Sequence, residues 1–187
     1  ECLGVDPRAV VITFVGRFKR EKGIIDLVNA FSNIVAGVED VELVLVGPDE
    51  EGLVSEIEAN VPSLMHKIHI LNYTEKPEEY MCASDIFVLP SYREGFGISA
   101  IEASSLKKPI ICSDIYGLEE TVIDGFTGFK HKVGDVKHIR EQLEFVLSNK
   151  ILMGKIGENG RKYVEKKFSE QTMLKAWDNF YIKNLTL

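Results

Sequence analysis

The sequence contains few cysteines, a single tryptophan and no long apolar run. Its 187 residues include three cysteines, an odd number with no metal-ligand spacing. Such cysteine usage argues against a disulfide framework and is typical of a reducing compartment. No apolar run approaches the roughly 18 residues that span a bilayer, and no signal peptide is visible. These absences predict a cytoplasmic protein.

An excess of positive charge is also absent. Lysine and arginine number 22 against 29 acidic residues, which gives a net charge of -7. This balance argues against a general nucleic-acid binder, which is usually basic. The apolar content of 45% is enough for one sizeable core, most simply a single domain. In such an acidic chain, the few cations near a candidate anion site matter most.

Short apolar runs alternate with segments of helical periodicity. Runs rich in β-branched residues predict buried strands, and apolar spacings of three and four predict helices. The predicted strands are residues 10–15, 41–46, 67–71, 86–89, 109–112 and an edge strand at 127–131. The predicted helices are residues 22–35, 51–60, 77–83, 98–106, 136–147, 151–166 and 170–183. This alternation predicts an α/β fold with a Rossmann-like, doubly wound parallel sheet.

The distinctive polar residues follow the predicted strands. Gly16 and Arg17 follow the first strand, Tyr73 follows the third, and the segment 90–97 follows the fourth. In open parallel sheets, ligands bind outside the carboxyl ends of the strands. We therefore expect these residues to converge on one rim.

Two carboxylates, Glu94 and Glu102, flank a Gly-Phe-Gly turn. A glycine turn that opens a helix offers unpaired N–H groups and the positive end of the helix dipole, which suit a phosphate. From Gly97 to Glu102 the helix advances about 7.5 Å. A ligand with hydroxyls on both sides of a phosphate could be held at both ends, and a nucleotide sugar has that layout.

Four motifs in order resemble one known family. Residues 94–102, Glu-Gly-Phe-Gly-Ile-Ser-Ala-Ile-Glu, match the E-x7-E signature of retaining glycosyltransferases with the GT-B fold, family 4 in particular. The other matching segments are Val-Gly-Arg-Phe-Lys-Arg-Glu-Lys-Gly at 15–23, Ala-Ser-Asp-Ile-Phe-Val-Leu-Pro-Ser at 83–91, and the pair Lys-Pro-Ile-Ile-Cys-Ser-Asp at 108–114 with Asp-Gly-Phe-Thr-Gly at 124–128. The resemblance runs from about Val10 to the C-terminus.

The resemblance implies one half of a two-domain enzyme. GT-B enzymes resemble two Rossmann-like domains facing across a cleft, and all the motifs here belong to the donor-binding half. It implies that residues 1–187 are a single nucleotide-sugar-binding domain, that an acceptor domain precedes them in a longer enzyme, and that the isolated domain is inactive. The implied reaction moves a hexose-type sugar from a nucleoside diphosphate sugar to an acceptor hydroxyl with retention, in bacterial-type polysaccharide or glycolipid synthesis. The implied location is the cytoplasm, with peripheral contact at the inner face of the membrane through the missing half.

The resemblance also assigns roles to individual residues. Arg17 and Lys22 are expected on the diphosphate, since arginine can fork onto two phosphate oxygens and lysine acts as a movable charge. Glu94 is expected to hold hydroxyls of the transferred sugar, and with Arg17 and Lys22 it forms the predicted catalytic set. Glu102 is expected to accept hydrogen bonds from the ribose hydroxyls.

The remaining donor-binding predictions concern backbone groups and the base. The backbone N–H groups of the turn and helix start are expected to contact sugar and phosphate; these residues are Gly95, Phe96, Gly97 and Ile98. Gly16 is expected beside the donor. Tyr73 is expected near the base, through its backbone or by stacking, and a surface tyrosine is the alternative.

No Asp-x-Asp segment is present, so neither a metal nor another cofactor is expected. Two positions depart from the family pattern: Lys107-Lys108 replaces a usual Gly-x, and Gly117-Leu118 replaces a Gly-Gly pair in a loop that faces the cleft in the family. One alternative function is a nucleotide-binding module of the same fold without catalysis. Another is a dinucleotide-dependent dehydrogenase, but the usual Gly-x-Gly-x-x-Gly is absent after the first strand.

Overall fold

A computed structural model describes residues 4–37 and 40–185 of the chain. The six strands are β1 (Val10–Val15), β2 (Val41–Val46), β3 (Ile68–Leu71), β4 (Ile86–Leu89), β5 (Ile110–Ser113) and β6 (Gly128–His131). The helices are α1 (Ile24–Val35), α2 (Leu53–Asn60), α3 (Pro77–Ala83), α4 (Ile98–Ser105), α5 (Val136–Leu147), α6 (Lys150–Phe168) and α7 (Glu170–Leu185). Short 3₁₀ turns lie at Arg20–Lys22, Pro62–Lys67 and Tyr116–Leu118.

All strand pairs are parallel, in the order β3-β2-β1-β4-β5-β6. The apolar runs that predicted strands are buried because the sheet is covered by helices; every residue of β4 and β5 is buried. Helix α1 packs against α5, while α4 packs against α3 and α6. The predicted Rossmann-like, doubly wound sheet is confirmed, and β6 is the edge strand that the sequence predicted.

The strand order reverses between β1 and β4, which are neighbours in the sheet. The chain leaves β1 toward β2 on one side, and it leaves β4 toward β5 on the other. In such sheets the ligand-binding crevice lies at the loops that follow the two strands where the order reverses. The predicted convergence of the motifs on one rim is therefore confirmed for the segments after β1 and β4.

Helix α1 begins at Ile24, two residues later than predicted. Gly23 has a φ of 67°, a left-handed conformation that ends the Arg20–Lys22 turn. A Cβ atom on Gly23 would lie 2.1 Å from the carbonyl oxygen of Pro90, so the loops after β1 and β4 are in direct backbone contact. As a result, Lys22 lies on a tight turn at the crevice instead of inside α1.

Helix α7 projects beyond the layered core. Every residue from 173 to 184 is exposed, and the rings of Trp177, Phe180 and Tyr181 pack on one another. Its contacts with the domain are made mainly with α6. Among the described helices, none is long and apolar enough to cross a membrane.

Candidate functional site

The two loops at the crevice are joined by backbone contacts. The Tyr92 amide donates a hydrogen bond to the Glu21 carbonyl at 2.8 Å, and Gly23 lies against the Pro90 carbonyl. These contacts involve only backbone atoms, so they hold the two loops together regardless of which side chains line the crevice. They bring the 15–23 and 83–91 motifs into one site.

At the centre of the crevice, Lys22 and Glu94 form an ion pair. The Lys22 Nζ atom lies 2.8 Å from Glu94 Oε1, and the side chains are only 15% and 14% exposed. The Ser91 hydroxyl donates to the same Oε1 at 2.8 Å. Within the described residues, Glu94 Oε2 has no hydrogen-bond donor, so it can still accept a bond from a ligand. The sequence predicted both charges, and the structure shows that they neutralise each other.

Ser91 therefore fixes the orientation of the Glu94 carboxylate. We expect Ser91→Ala to weaken binding of a nucleoside diphosphate sugar by about 2- to 12-fold, the equivalent of one hydrogen bond of roughly 0.5–1.5 kcal/mol. The affinity for the free nucleoside diphosphate should fall by a smaller factor. Calorimetric titration checks this, with Ser32→Ala as a control, because the Ser32 hydroxyl only donates to the Asn29 carbonyl in α1. Equal losses in the two variants would contradict the role of Ser91.

The N-terminus of α4 lies next to this pair and has no side-chain cap. Gly97 is the N-cap residue with a φ of 64°, and a Cβ there would lie 2.2 Å from Leu118 Cδ2. Gly95 has open space around it, since a Cβ atom on this residue would meet no atom beyond its chain neighbours within 4 Å. Ile98 is 65% exposed. The N-terminus of α4, with the positive end of its dipole, therefore lies at an accessible surface.

Glu102 lies one turn inside α4, and its carboxylate accepts no hydrogen bond within the described part of the chain. Partial desolvation raises the pKa of this carboxyl, and the negative charge of Glu78, in the first turn of α3, raises the pKa further. A carboxylate in this state lacks the hydroxyl or cation partners that would stabilise its charge. It is suited to accept hydrogen bonds from a diol.

The raised pKa of Glu102 has a consequence for stability. Because the folded state binds this proton more tightly than the unfolded state, the ionised carboxylate destabilises the fold at neutral pH. We expect Glu102→Gln to raise the melting temperature at pH 7. The gain should shrink as the pH falls through the raised pKa and vanish below about 4.3, the ordinary value for glutamate. Thermal unfolding from pH 4 to 8 checks this, with Glu58→Gln on exposed α2 as the control; a less stable Glu102→Gln at pH 7 would contradict it.

Arg17 lies at the end of β1 and is 54% exposed, with its guanidinium 3.5 Å from Glu50 Oε2. Lys19 contacts the same oxygen at 2.9 Å. The structure does not bring Arg17 into contact with Lys22 or Glu94 among the described residues. The Gly16 amide donates to the Val46 carbonyl at 2.9 Å, so the sheet already occupies this N–H group.

Tyr73 follows β3 at the sheet edge and is 70% exposed; its amide donates to Asn72 Oδ1 at 2.8 Å. Two strands separate β3 from β4 in the sheet. At about 4.8 Å per strand, this places Tyr73 roughly 14 Å from the β4 end and away from Glu94. The loop it belongs to leads into α3 and Glu78, on the side of Glu102.

Residues 3–163 match the sequence profile of the family described as glycosyl transferases group 1. The chain belongs to this family. It is 35% identical over 172 residues to CapM of Staphylococcus aureus, a glycosyltransferase of capsular polysaccharide biosynthesis, covering 91% of this chain and 45% of that protein. Group 1 membership confirms the family that the four motifs indicated.

Solved structures show the same fold. A glycosyltransferase from Rickettsia africae superposes with a TM-score of 0.89 at 25% identity, covering 97% of this chain and 49% of that one. HepE from Anabaena, solved in complex with UDP-glucose, has a TM-score of 0.84 at 21% identity, covering 95% of this chain and 50% of that one. The chain thus spans about half the length of each of these three proteins.

Three features of this group 1 site escaped the sequence analysis. Ser91 and Glu78 were not predicted, although Ser91 directly follows the strand and Glu78 follows Pro77 at a helix start. The Tyr116–Leu118 turn was also missed; a Cβ on Gly117 would lie 1.9 Å from the Glu94 carbonyl oxygen, so this turn seats the Glu94 backbone. Within residues 4–37 and 40–185, no group of three or more histidine, cysteine, aspartate or glutamate side chains could hold a metal ion.

Proposed function

We propose that this chain is the donor-binding domain of a retaining glycosyltransferase, and that it holds a nucleoside diphosphate sugar in the crevice between β1 and β4. The observation that carries the proposal is the largely buried Lys22–Glu94 pair at the strand-order reversal, beside an uncapped α4 N-terminus. A cation and helix amides suit a diphosphate, and a carboxylate with a free oxygen suits sugar hydroxyls.

The order of Glu94, the α4 N-terminus and Glu102 along the chain supports one orientation of the donor. The transferred sugar lies at Glu94, the diphosphate at Lys22 and the first amides of α4, and the ribose at Glu102. The base extends toward the loop that carries Tyr73. The raised pKa of Glu102 supports the ribose position, because it belongs to a carboxylate whose charge has no partner among the described residues.

Lys22 has a different partner in each stage of the proposed reaction. In the free protein it neutralises Glu94. When the diphosphate binds, Lys22 and the α4 dipole turn to the phosphate oxygens and stabilise the charge that develops as the diphosphate leaves. Glu94 is then released to bind the sugar hydroxyls, and exposed Arg17 adds a second cation. The acceptor hydroxyl attacks from the face that the diphosphate leaves, which retains the configuration.

The proposal extends to the whole enzyme, and the family and the length of the relatives support it. A second domain that binds the acceptor completes the enzyme, and the sugar is of the hexose type. CapM supports a role in polysaccharide or glycolipid synthesis. The free thiols of Cys82 and Cys112 fit a cytoplasmic enzyme, whose acceptor domain would make any contact with the inner face of the membrane. The proposal includes no metal ion, and EDTA is expected to leave nucleotide binding unchanged.

A thermal-shift screen of UDP, GDP and their sugar conjugates, with NAD as a control, tests the proposal. We expect one nucleoside diphosphate and its conjugate to raise the melting temperature and NAD to have no effect. The full-length enzyme should transfer the sugar, whereas residues 1–187 alone should bind the donor without transfer. Stabilisation by NAD alone would overturn the proposal. Donor binding by a full-length protein that never turns over would favour the non-catalytic module.

A further inference from the structure

The Gly95–Gly97 turn between Glu94 and α4, called the donor turn below, also makes a contact outside the crevice. The ring of Phe96, which lies between Gly95 and Gly97, meets the ring of Phe168 edge-on, with centroids 5.4 Å apart and an interplanar angle of 90°. Phe168 is the last residue of α6. The end of a distant helix therefore touches the turn that directly follows Glu94, the residue proposed to hold the sugar.

The end of α6 is itself fixed by a small polar and aromatic cluster. The Tyr163 hydroxyl donates to the Glu120 carbonyl at 2.7 Å, and Lys167 pairs with the Glu120 carboxylate at 3.2 Å. Lys167 Nζ lies 5.4 Å from the centroids of both the Tyr163 and Phe168 rings. The Phe168 ring also packs edge-on to Tyr163 at 5.9 Å. Phe168 is thus held on several sides.

The segment that leads to Glu120 also contacts the donor turn. Gly117 packs against the Glu94 carbonyl, and Leu118 packs against Gly97. The donor turn therefore lies between this segment and Phe168, and Tyr163 and Lys167 tie the two supports to each other.

The turn needs such support because its own sequence supplies little. Gly95 and Gly97 carry no side chain to pack, and glycine loses more conformational freedom on ordering than any other residue. Between them, Phe96 is 43% exposed, and its contact with Phe168 is a side-chain restraint on the turn in addition to the Leu118 contact with Gly97. A turn ordered before the ligand arrives binds more tightly than one the ligand must order.

We propose that Phe168 is a positioning residue for the donor sugar, because its ring holds Phe96 and with it the turn that follows Glu94. The inference rests on the proposed function, since it assumes that a nucleotide sugar is the ligand. A purely structural role for Phe168 would lower stability without distinguishing one ligand from another. A positioning role changes the affinity for the sugar conjugate more than the affinity for the diphosphate. The reason is that Phe96 lies two positions after Glu94, the proposed sugar-binding residue. The diphosphate is held instead by Lys22 and by α4, whose N-cap Gly97 packs on Leu118 independently of Phe168.

The test uses the full-length enzyme and compares variants by calorimetry with UDP, UDP-glucose, GDP and GDP-mannose. Phe168→Leu should lower the affinity for the sugar conjugate by about 2- to 12-fold, the range for loss of one aromatic pair. The matching diphosphate should change by less than about twofold. Phe168→Tyr keeps the ring and should restore wild-type affinity, and kcat/KM for the conjugate should follow the same order.

Phe145→Leu is the matched control. Phe145 is 47% exposed and meets Phe129 edge-on with centroids 5.4 Å apart, on α5 and β6, with no contact to the donor turn among the described residues. It should lower the melting temperature about as much as Phe168→Leu and leave both affinities unchanged. Phe96→Leu removes the same ring contact from the other partner. Adding Phe168→Leu in that background should therefore cause no further loss of affinity for the sugar conjugate.

The outcomes separate this inference from the proposed function. If the wild type binds a sugar conjugate but Phe168→Leu and Phe96→Leu behave like Phe145→Leu, the positioning role is wrong and the proposed function stands. If either variant weakens the diphosphate and its conjugate equally, the positioning role is likewise wrong. If the wild type binds none of the four nucleotides, the proposed function fails and this inference fails with it.

Discussion

Lys22→Ala is expected to weaken binding of the nucleoside diphosphate by about 10- to 150-fold. The lysine ammonium makes charge-assisted hydrogen bonds worth roughly 1.5–3 kcal/mol, and about 1.4 kcal/mol corresponds to a factor of ten. The Lys22 side chain is only 15% exposed, which limits competition from water. The nucleoside without phosphates should be nearly indifferent to the change. Calorimetric titration with UDP or GDP and with the matching nucleoside measures both effects.

Lys22→Ala also leaves Glu94 without its cation, so a loss of stability is expected as well. The ratio of diphosphate to nucleoside affinity removes that common effect, because both ligands bind the same weakened fold. Lys19→Ala is the control: Lys19 lies in the same loop but pairs with Glu50 at 2.9 Å, outside the crevice centre. A ratio that does not change in Lys22→Ala, or changes as much in Lys19→Ala, would sink the phosphate assignment.

Glu102→Ala and Glu94→Ala are expected to differ in which ligands they bind less tightly. Glu102→Ala should weaken the free nucleoside diphosphate and its sugar conjugate equally, by about 10- to 150-fold, because both ligands carry the ribose and hydrogen bonds to a charged group are strong. Glu94→Ala should weaken only the conjugate, by a similar factor. Because it frees Lys22 from its ion pair, it should leave the diphosphate affinity unchanged or raise it.

In the full-length enzyme, Glu94→Ala should also lower kcat, since the sugar is held less firmly where charge develops in the transition state. Titration of both variants with the diphosphate and the conjugate provides the comparison, and Glu58→Ala on α2 serves as an inert control. Equal harm to both ligands from Glu94→Ala would mean that the donor lies in the reverse orientation or elsewhere.

Local sequence patterns were sufficient to predict the sheet and the rim. The β-branched runs of β1 and β2 match their predicted bounds, because burial on both faces leaves a continuous apolar run. The rim followed from topology alone, since parallel strands end at the same edge. The Gly97 turn and the helix after it were also predicted, because glycine at a helix start has a local signature.

Contacts between distant segments could not be predicted from local patterns. Lys22 was assigned to α1, but the left-handed Gly23 ends the preceding turn against Pro90, which is 67 positions away in the sequence. The Lys22–Glu94 pair and the Phe96–Phe168 contact join residues 72 positions apart each. The pKa of Glu102 is raised by partial desolvation in the packed fold and further by the charge of Glu78 in another helix. Each feature requires the fold before it can be seen.

The glycine contacts at the crevice have a consequence for the substitutions that this chain can tolerate. Gly23 against Pro90 and Gly117 against Glu94 join main chain to main chain, so the approach of these loops to one another does not depend on the side chains exposed at the rim. Exposed residues such as Tyr73 and Tyr116 can therefore vary while the scaffold stays in place. New donor and acceptor preferences become accessible by substitution at the surface, without the loss of stability that remodelling a loop would cause.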